Sequence, residues 1–189
     1  METIHWTLAA DAPPLLIRKC PKCGNERYET GGRFRVNANG RRLDVWLVYR
    51  CTACRNTWNL SVCERVDRKS IDSARYDAFQ LNDALLVRRL GFDSAFLGRN
   101  RAILDADSLR WRAEGPDVPE GRAARVVVSC PFELPLPVGR VIAETLGVSV
   151  SRLKKLSERG MLSFDGDLKK RRASRGFAFE LREGWSRGG

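Results

Sequence analysis

Two short stretches repeat one clip: RKCPKCG at residues 18–24 and YRCTACRNTW at residues 49–58, with 27 residues between the inner cysteines. Cys20, Cys23, Cys51 and Cys54 would supply four thiolates. That is the complement of a closed tetrahedral structural zinc site, with no open coordination position for catalysis. A redox C-x-x-C is the rival reading, but a thioredoxin-like motif needs one pair beside a βαβ unit, and here two pairs flank a hairpin pattern. One structural Zn2+ is therefore the expected cofactor. Cys63 and Cys130 lie outside both clips and read as ordinary half-buried residues. His5, the single histidine, reads as a surface or packing residue, because four thiolates already suffice.

Catalytic chemistry is harder to find. The sequence has no phosphate-cradling glycine loop and no recognisable nucleophile constellation. The acid pairs Asp105/Asp107 and Asp165/Asp167 sit in turn-like contexts, where solvated or capping roles are commoner. No catalytic residue is assigned, and an RNA-modifying or other enzyme remains a third reading.

Charge supplies the other chemistry. Thirty-four basic and 23 acidic side chains give a formal net charge of +11. Residues 1–67 carry a surplus of 4, residues 68–136 a surplus of 1 and residues 137–189 a surplus of 6. Basic ends around a nearly neutral middle suit contact with a polyanion; general solubility is the alternative. Near the carboxyl end, PVGRVIAETLGVSVSRLKKLSERG reads as two short helices, the first ended by Gly147 and the second capped by Ser149. On the second, Arg152, Lys155 and Arg159 fall within about 60° of one another, while Leu153 and Leu156 point elsewhere. Lys169, Lys170, Arg171 and Arg172 then occupy a turn between a strand and a returning strand with Phe177 and Phe179. Helix and turn are expected to form one basic patch, a solvated charged face being the alternative.

The elements that must position these groups follow from periodicity. Asn39-Gly40 signals a two-residue hairpin turn, which would set Val36 opposite Leu43, Arg35 opposite Asp44 and Phe34 opposite Val45. A third strand, TWNLSVCERV, would place Trp58, Leu60 and Val62 on one face. Ile71, Ala74, Ala78, Leu81 and Leu85 recur at helical spacing behind Ser70 as N-cap, and a shorter helix is expected around Ser94–Leu104. EGPDVPEGRAA at 114–124 has the composition of a linker. No transmembrane span is expected. The start METIHWTLAADAPPLLIRKC lacks a basic n-region and an apolar run for a signal peptide, so a cytoplasmic location, where thiols stay reduced, is expected.

The stretch RVIAETLGVSVSRLKKLSERGMLSFDG resembles the small RNA-binding domain named after ribosomal small-subunit protein S-four, over about 50 residues with the closing hairpin. The resemblance implies RNA-phosphate contacts at Ser151, Arg152, Lys155 and Arg159. The Arg-Leu-Asp that often opens the first helix in that family is here PVG before Arg140, a further candidate contact. The complete chain, from LLIRKCPKCG through FRVNANGRRLDVWLVYRC to its end, resembles an uncharacterised bacterial zinc-ribbon family, domain-of-unknown-function family 1062, which brings no assigned activity.

The expected fold is α+β: an N-terminal three-stranded zinc ribbon at 1–67, a helical segment packed on it at 68–114, a linker at 115–125 and a C-terminal S-four-like αα-β-hairpin module at 126–189. The expected function is a non-enzymatic RNA-binding protein contacting structured RNA, ribosomal or transfer RNA, with no membrane partner. The alternative is a DNA-binding helix-turn-helix transcription regulator, since VIAETLGVSVSRLKKLSERG also fits that motif and the following hairpin could be a wing.

Overall fold

In ETIHWTLAA, Ile4, Trp6, Leu8 and Ala10 are buried while Thr3, His5 and Thr7 are exposed, the period of two of a strand with one face on a core. This strand, β1 (Glu2–Ala10), does not join the cysteine-bearing sheet. The computed structural model, which describes residues 1–174 and 176–188, forms two five-stranded sheets. The chain divides into two compact units, Ala12–Arg110 and Met1–Asp11 with Trp111–Gly189. The expected fold class is thereby corrected. The molecule is β-rich, with two sheets of five strands each and a few short helices, rather than a three-stranded ribbon followed by an αα-β-hairpin module.

In the unit Ala12–Arg110 the strands are β2 (Leu16–Ile17), β3 (Arg27–Asn39), β4 (Arg42–Cys51), β5 (Thr57–Asp67) and β6 (Ile103–Leu104), in the antiparallel order β5-β4-β3-β2-β6. The short strands β2 and β6 extend the expected three. The β3–β4 hairpin differs from expectation in register. Asn39 pairs with Arg42, so the loop is Gly40-Arg41, and Val36 lies opposite Val45, Asn37 opposite Asp44 and Phe34 opposite Leu47. Gly40 takes the first loop position with φ +59, a place two-residue hairpins give to glycine. The slip is by two residues, so every side chain keeps its face. Leu43, Val45, Leu47, Tyr49 and Leu60 remain in the core.

That core is closed by α1 (Ser73–Gln80), α2 (Ala84–Phe92) and α3 (Ser94–Arg99), which contribute Phe79, Val87, Leu90, Phe96 and Leu97. The continuous helical face read through Leu81 and Leu85 is not formed: those residues are 79% and 49% exposed. Asn82 interrupts the helix at φ +55, and its Oδ1 accepts the Phe34 backbone N–H at 2.7 Å. Helices α1, α2 and α3 are each capped by an aspartate, Asp72, Asp83 and Asp93, rather than by Ser70.

In the other unit the sheet order is β7-β1-β8-β10-β9, with β7 (Trp111–Glu114), β8 (Ala124–Ser129), β9 (Leu162–Phe164) and β10 (Phe177–Leu181). β1 runs parallel to β8, Glu2 opposite Ala124 and Thr7 opposite Ser129. Helices α4 (Val138–Leu146) and α5 (Val150–Glu158) contribute Val141, Ile142, Leu146, Leu153 and Leu156 to the buried set. Gly147 ends α4 at φ +68 and Ser149 caps α5. The stretch 115–125 is packed rather than free. Pro116 accepts the Trp6 indole N–H at 2.8 Å, Val118 is buried, and Arg187 pairs with Asp117 at 2.7 Å. A Cβ on Gly115 would lie 2.2 Å from the Trp6 ring, so only glycine permits that approach.

Candidate metal centre and basic surfaces

The two cysteine clips fold alike. Cys20 follows β2 and Cys51 ends β4. In each clip the first cysteine's carbonyl accepts from the residue four positions on: Gly24 N at 2.9 Å and Arg55 N at 3.0 Å. Each first cysteine donates its own N–H to an asparagine carbonyl five positions on, Asn25 at 2.7 Å and Asn56 at 2.8 Å. Gly24 and Arg55 hold the same left-handed backbone, φ +77 and +64. The sequence repeat is therefore C-x-x-C-x-N, two residues longer than the cysteine pairs alone.

The pairing of Tyr28 with Cys51 across β3 and β4 brings the clips together. The Sγ atoms of Cys20 and Cys54 lie 3.6 Å apart, as do those of Cys23 and Cys51, and all four lie within 4.8 Å of one another. A tetrahedron of sulfurs about 2.3 Å from a zinc ion has edges of about 3.8 Å, whereas a disulfide needs about 2.05 Å. Geometry and donor softness both fit a metal ion of the zinc type. Cys20 and Cys51 are buried, Cys54 is half-buried and Cys23 is exposed.

Electrostatics agree with such a cluster. The Tyr28 hydroxyl, aided by backbone amides of Cys23 and Lys22, brings the Cys20 thiol down to about 6 against the opposing effect of burial. At Cys51 the backbone amide of Cys54 has the largest effect, and it lowers the thiol with help from the Asn25 side chain. At Cys23 the Asn25 backbone amide acts downward but is outweighed by the Cys54 thiol, burial and the other two thiols, and the group is pushed up to about 12. The thiols compete to hold negative charge, and a divalent ion is what allows all four to ionise together.

Sequence reasoning missed the groups supporting the cysteines. Asn25 Nδ2 donates to Cys51 Sγ at 3.4 Å, to Thr52 Oγ1 at 3.0 Å and to the Arg27 carbonyl at 2.9 Å. Trp58 packs edge-on to Tyr28, and the Arg18 guanidinium lies 4.4 Å from its ring centroid. The repeated asparagine was the signal available. Asp105 is buried and paired with Arg27 at 2.9 Å, a structural role rather than a solvated one. Asp167 caps its turn through Lys169 N and Lys170 N, which lower its pKa. Cys63 and Cys130 are half-buried, burial raising both thiols, and His5 is exposed on β1.

The residues expected to meet nucleic acid differ in their surroundings. Arg152 is drawn into the fold, its guanidinium donating to the Ser186 carbonyl at 2.9 Å, the Ser186 hydroxyl at 3.0 Å and the Gly188 carbonyl at 2.7 Å. Arg140 pairs with Glu144 at 2.7 Å. Arg171 donates to the Asp165 carbonyl and lies over Phe164. Ser151, Lys155, Arg159, Lys169, Lys170 and Arg172 are exposed. Helix α5 and the turn meet along one groove. Lys169 shares a groove of about 500 Å³ with Arg140 and Lys154, whereas Lys155 and Arg159 are turned about 100° or more around α5 from Lys154.

The charge gathers elsewhere. The unit Ala12–Arg110 holds 19 basic and 11 acidic side chains, a surplus of 8, against 15 and 12 in the other unit, a surplus of 3. On the β3–β4 hairpin, Arg33, Arg35, Arg41, Arg42 and Arg50 have no ion-pair partner among the described residues.

No curated protein and no solved structure matches this chain. A family model described as "Protein of unknown function (DUF1062)" matches residues 36–168, taking in the second cysteine clip, α1 to α5 and the turn up to Leu168. That match covers 133 of the 189 residues, in both units, and the chain belongs to the DUF1062 family.

Proposed function

We propose that this chain is a non-enzymatic RNA-binding protein whose cysteine-bearing sheet is held by one structural Zn2+. The observation that carries the RNA reading is the surplus of 8 positive charges in the unit Ala12–Arg110, with the hairpin arginines left unpaired. Unpaired cations on a rigid sheet suit a phosphate backbone, where each contact releases condensed counterions. Lys155, Arg159, Lys169, Lys170 and Arg172 add exposed cations on the other unit. Recognition by phosphate and shape suits folded RNA. Reading duplex DNA through α5 is disfavoured, because Arg152 in its first turn is held by residues 186–188. Zinc fits the four-thiolate set and would hold the two clips with no open position for chemistry. A reducing cytoplasm is the compartment that suits such thiolates.

The test is binding of the zinc-loaded protein to unfractionated transfer RNA and to a duplex DNA of equal length, titrated against salt. RNA affinity should fall linearly on a log–log plot. The hairpin variant Arg33→Glu/Arg41→Glu should flatten the slope by about one unit per lost phosphate contact, with metal content unchanged. No RNA binding at physiological salt would overturn the reading. Preference for a specific DNA duplex would replace it with a transcription regulator.

A further inference from the structure

One face of the hairpin sheet packs on the core; its other face carries an arrangement that charge alone does not explain. Along β4, side chains alternate, so Arg42, Asp44, Trp46, Val48 and Arg50 share the outward face while Leu43, Val45, Leu47 and Tyr49 point into the core. Trp46 stands at the centre of that row, half-buried. Arg42 and Arg50 lie four residues to either side, about 13 Å along the strand. Across the ladder Arg35 is its direct partner on β3, with the guanidinium 5.9 Å from the indole centroid. On β5, Glu64 accepts the indole N–H at 3.3 Å.

The acidic groups of this face are already engaged. Asp44 accepts the Arg65 backbone N–H at 2.7 Å, Glu64 holds the indole, and Glu29 pairs with Arg55. The arginines are not: Arg33, Arg35 and Arg42 are exposed and, like Arg50, lack an ion-pair partner among the described residues. The other aromatics of this sheet are used differently. Tyr28, Phe34, Tyr49 and Trp58 face the core, Phe34 against Phe79 and both tyrosines against Trp58. Trp46 is instead an aromatic surface held at its N–H edge by Glu64 and overlain on one face by the Arg35 guanidinium, which leaves the opposite face to a base, with Arg42 and Arg50 to either side along the strand. Such a combination takes up unpaired nucleotides, a base stacking on the ring while the backbone follows the cations.

We infer that the outward face of β3–β4–β5 is a platform for single-stranded RNA segments, with one base stacked on Trp46 and the flanking phosphates met by Arg35, Arg42 and Arg50. The inference rests on the RNA reading above and specifies where an unpaired segment of the RNA sits.

The test measures anisotropy of a labelled oligouridylate of about 12 nucleotides with zinc-loaded protein across a range of salt. Trp46→Ala should weaken binding roughly 5- to 100-fold without changing the salt slope, because stacking releases no counterion, and Trp46→Phe should recover most of the loss. Arg35→Ser/Arg42→Ser should make the slope shallower by about 0.7 per lost contact. Should Trp46→Ala disturb metal content or circular dichroism, the arginine pair decides. Wild-type affinity and slope in the intact variants would overturn the platform. Wild-type protein that binds folded transfer RNA but not oligouridylate would overturn the platform and leave the RNA reading standing. Protein that binds neither would remove both.

Discussion

In the unit Ala12–Arg110 the sheet is stitched by neighbours in sequence, β3 to β4 to β5, and gathered at one end where four cysteines meet. In the other unit the second residue of the chain pairs with residue 124, Trp6 packs against Phe179, and Trp185 is buried. The first sheet is built mainly of local contacts, with β2–β6 its one long-range pairing, and leaves many cations unpaired; the second is built mainly of distant contacts and is closer to charge balance. A metal ion held by the four thiolates would support such a highly charged, hairpin-built sheet against the repulsion of its like charges.

The largest expected effect breaks the first unit alone. Cys51→Ser should withdraw a metal contribution on the order of 10 kcal/mol. Hydrogen exchange read by mass spectrometry should then show protection lost across residues 12–110 and retained in β1, β8 and β10. Equal loss in both units would refute the division of labour. The pH dependence sharpens the same point. Cys20 is brought down to about 6 from 9.0, so in the metal-free protein its thiolate favours the fold above about 9, and that contribution is lost as pH falls through about 6. Cys23, pushed up to about 12 from 9.0, favours the metal-free fold while protonated, below about 9, and that contribution is lost as pH rises toward 12. Protons compete with the metal, so apparent zinc affinity should rise with pH, more steeply below pH 6, where Cys20 must also be deprotonated. Competition with a chromophoric chelator measures this, and an affinity independent of pH between 5 and 8 would be incompatible with thiolate ligation.

The second unit has its own weak point. Trp6 is 4% exposed, packs 5.9 Å from Phe179 and donates to the Pro116 carbonyl. Trp6→Ala should cost about 3–5 kcal/mol of that unit's stability in a denaturant melt, while zinc stays bound. Loss of zinc in this variant would show that the units do not stand apart energetically. The smallest effect lies within the metal clips. Arg55 occupies the left-handed position that glycine holds in the other clip, so Arg55→Gly should stabilise the loaded protein by about 1 kcal/mol, less the exposed pair with Glu29. Gly24→Ala should destabilise it by a similar amount.

Legibility in the sequence follows the same divide. The cysteine clips, the hairpin between them and the caps at Gly147 and Ser149 are local, and local spacing reveals them. The register differs by two residues from the Asn-Gly expectation because Gly40 takes the first loop position and not the second; the period of two hides the slip from the core pattern. The alternation in ETIHWTLAA was visible, but nothing local says that its partners are residues 111–114 and 124–129. Leu81 and Leu85 kept helical spacing across a break set by Asn82 reaching to Phe34. Arg152 looked like a free cation because its partners, Ser186 and Gly188, lie more than 30 residues away. Counting charge along the chain placed the surplus at the ends, whereas the fold gathers most of it in the cysteine-bearing unit.

The central claim is that Cys20, Cys23, Cys51 and Cys54 hold one zinc ion that fixes this unit, and X-ray absorption on protein purified without chelator tests it directly, alongside native mass spectrometry. The expected result is one zinc per chain with four sulfur neighbours at about 2.3 Å. A metal-free mass, with all four thiols open to alkylation and residues 12–110 still protected from exchange, would contradict it.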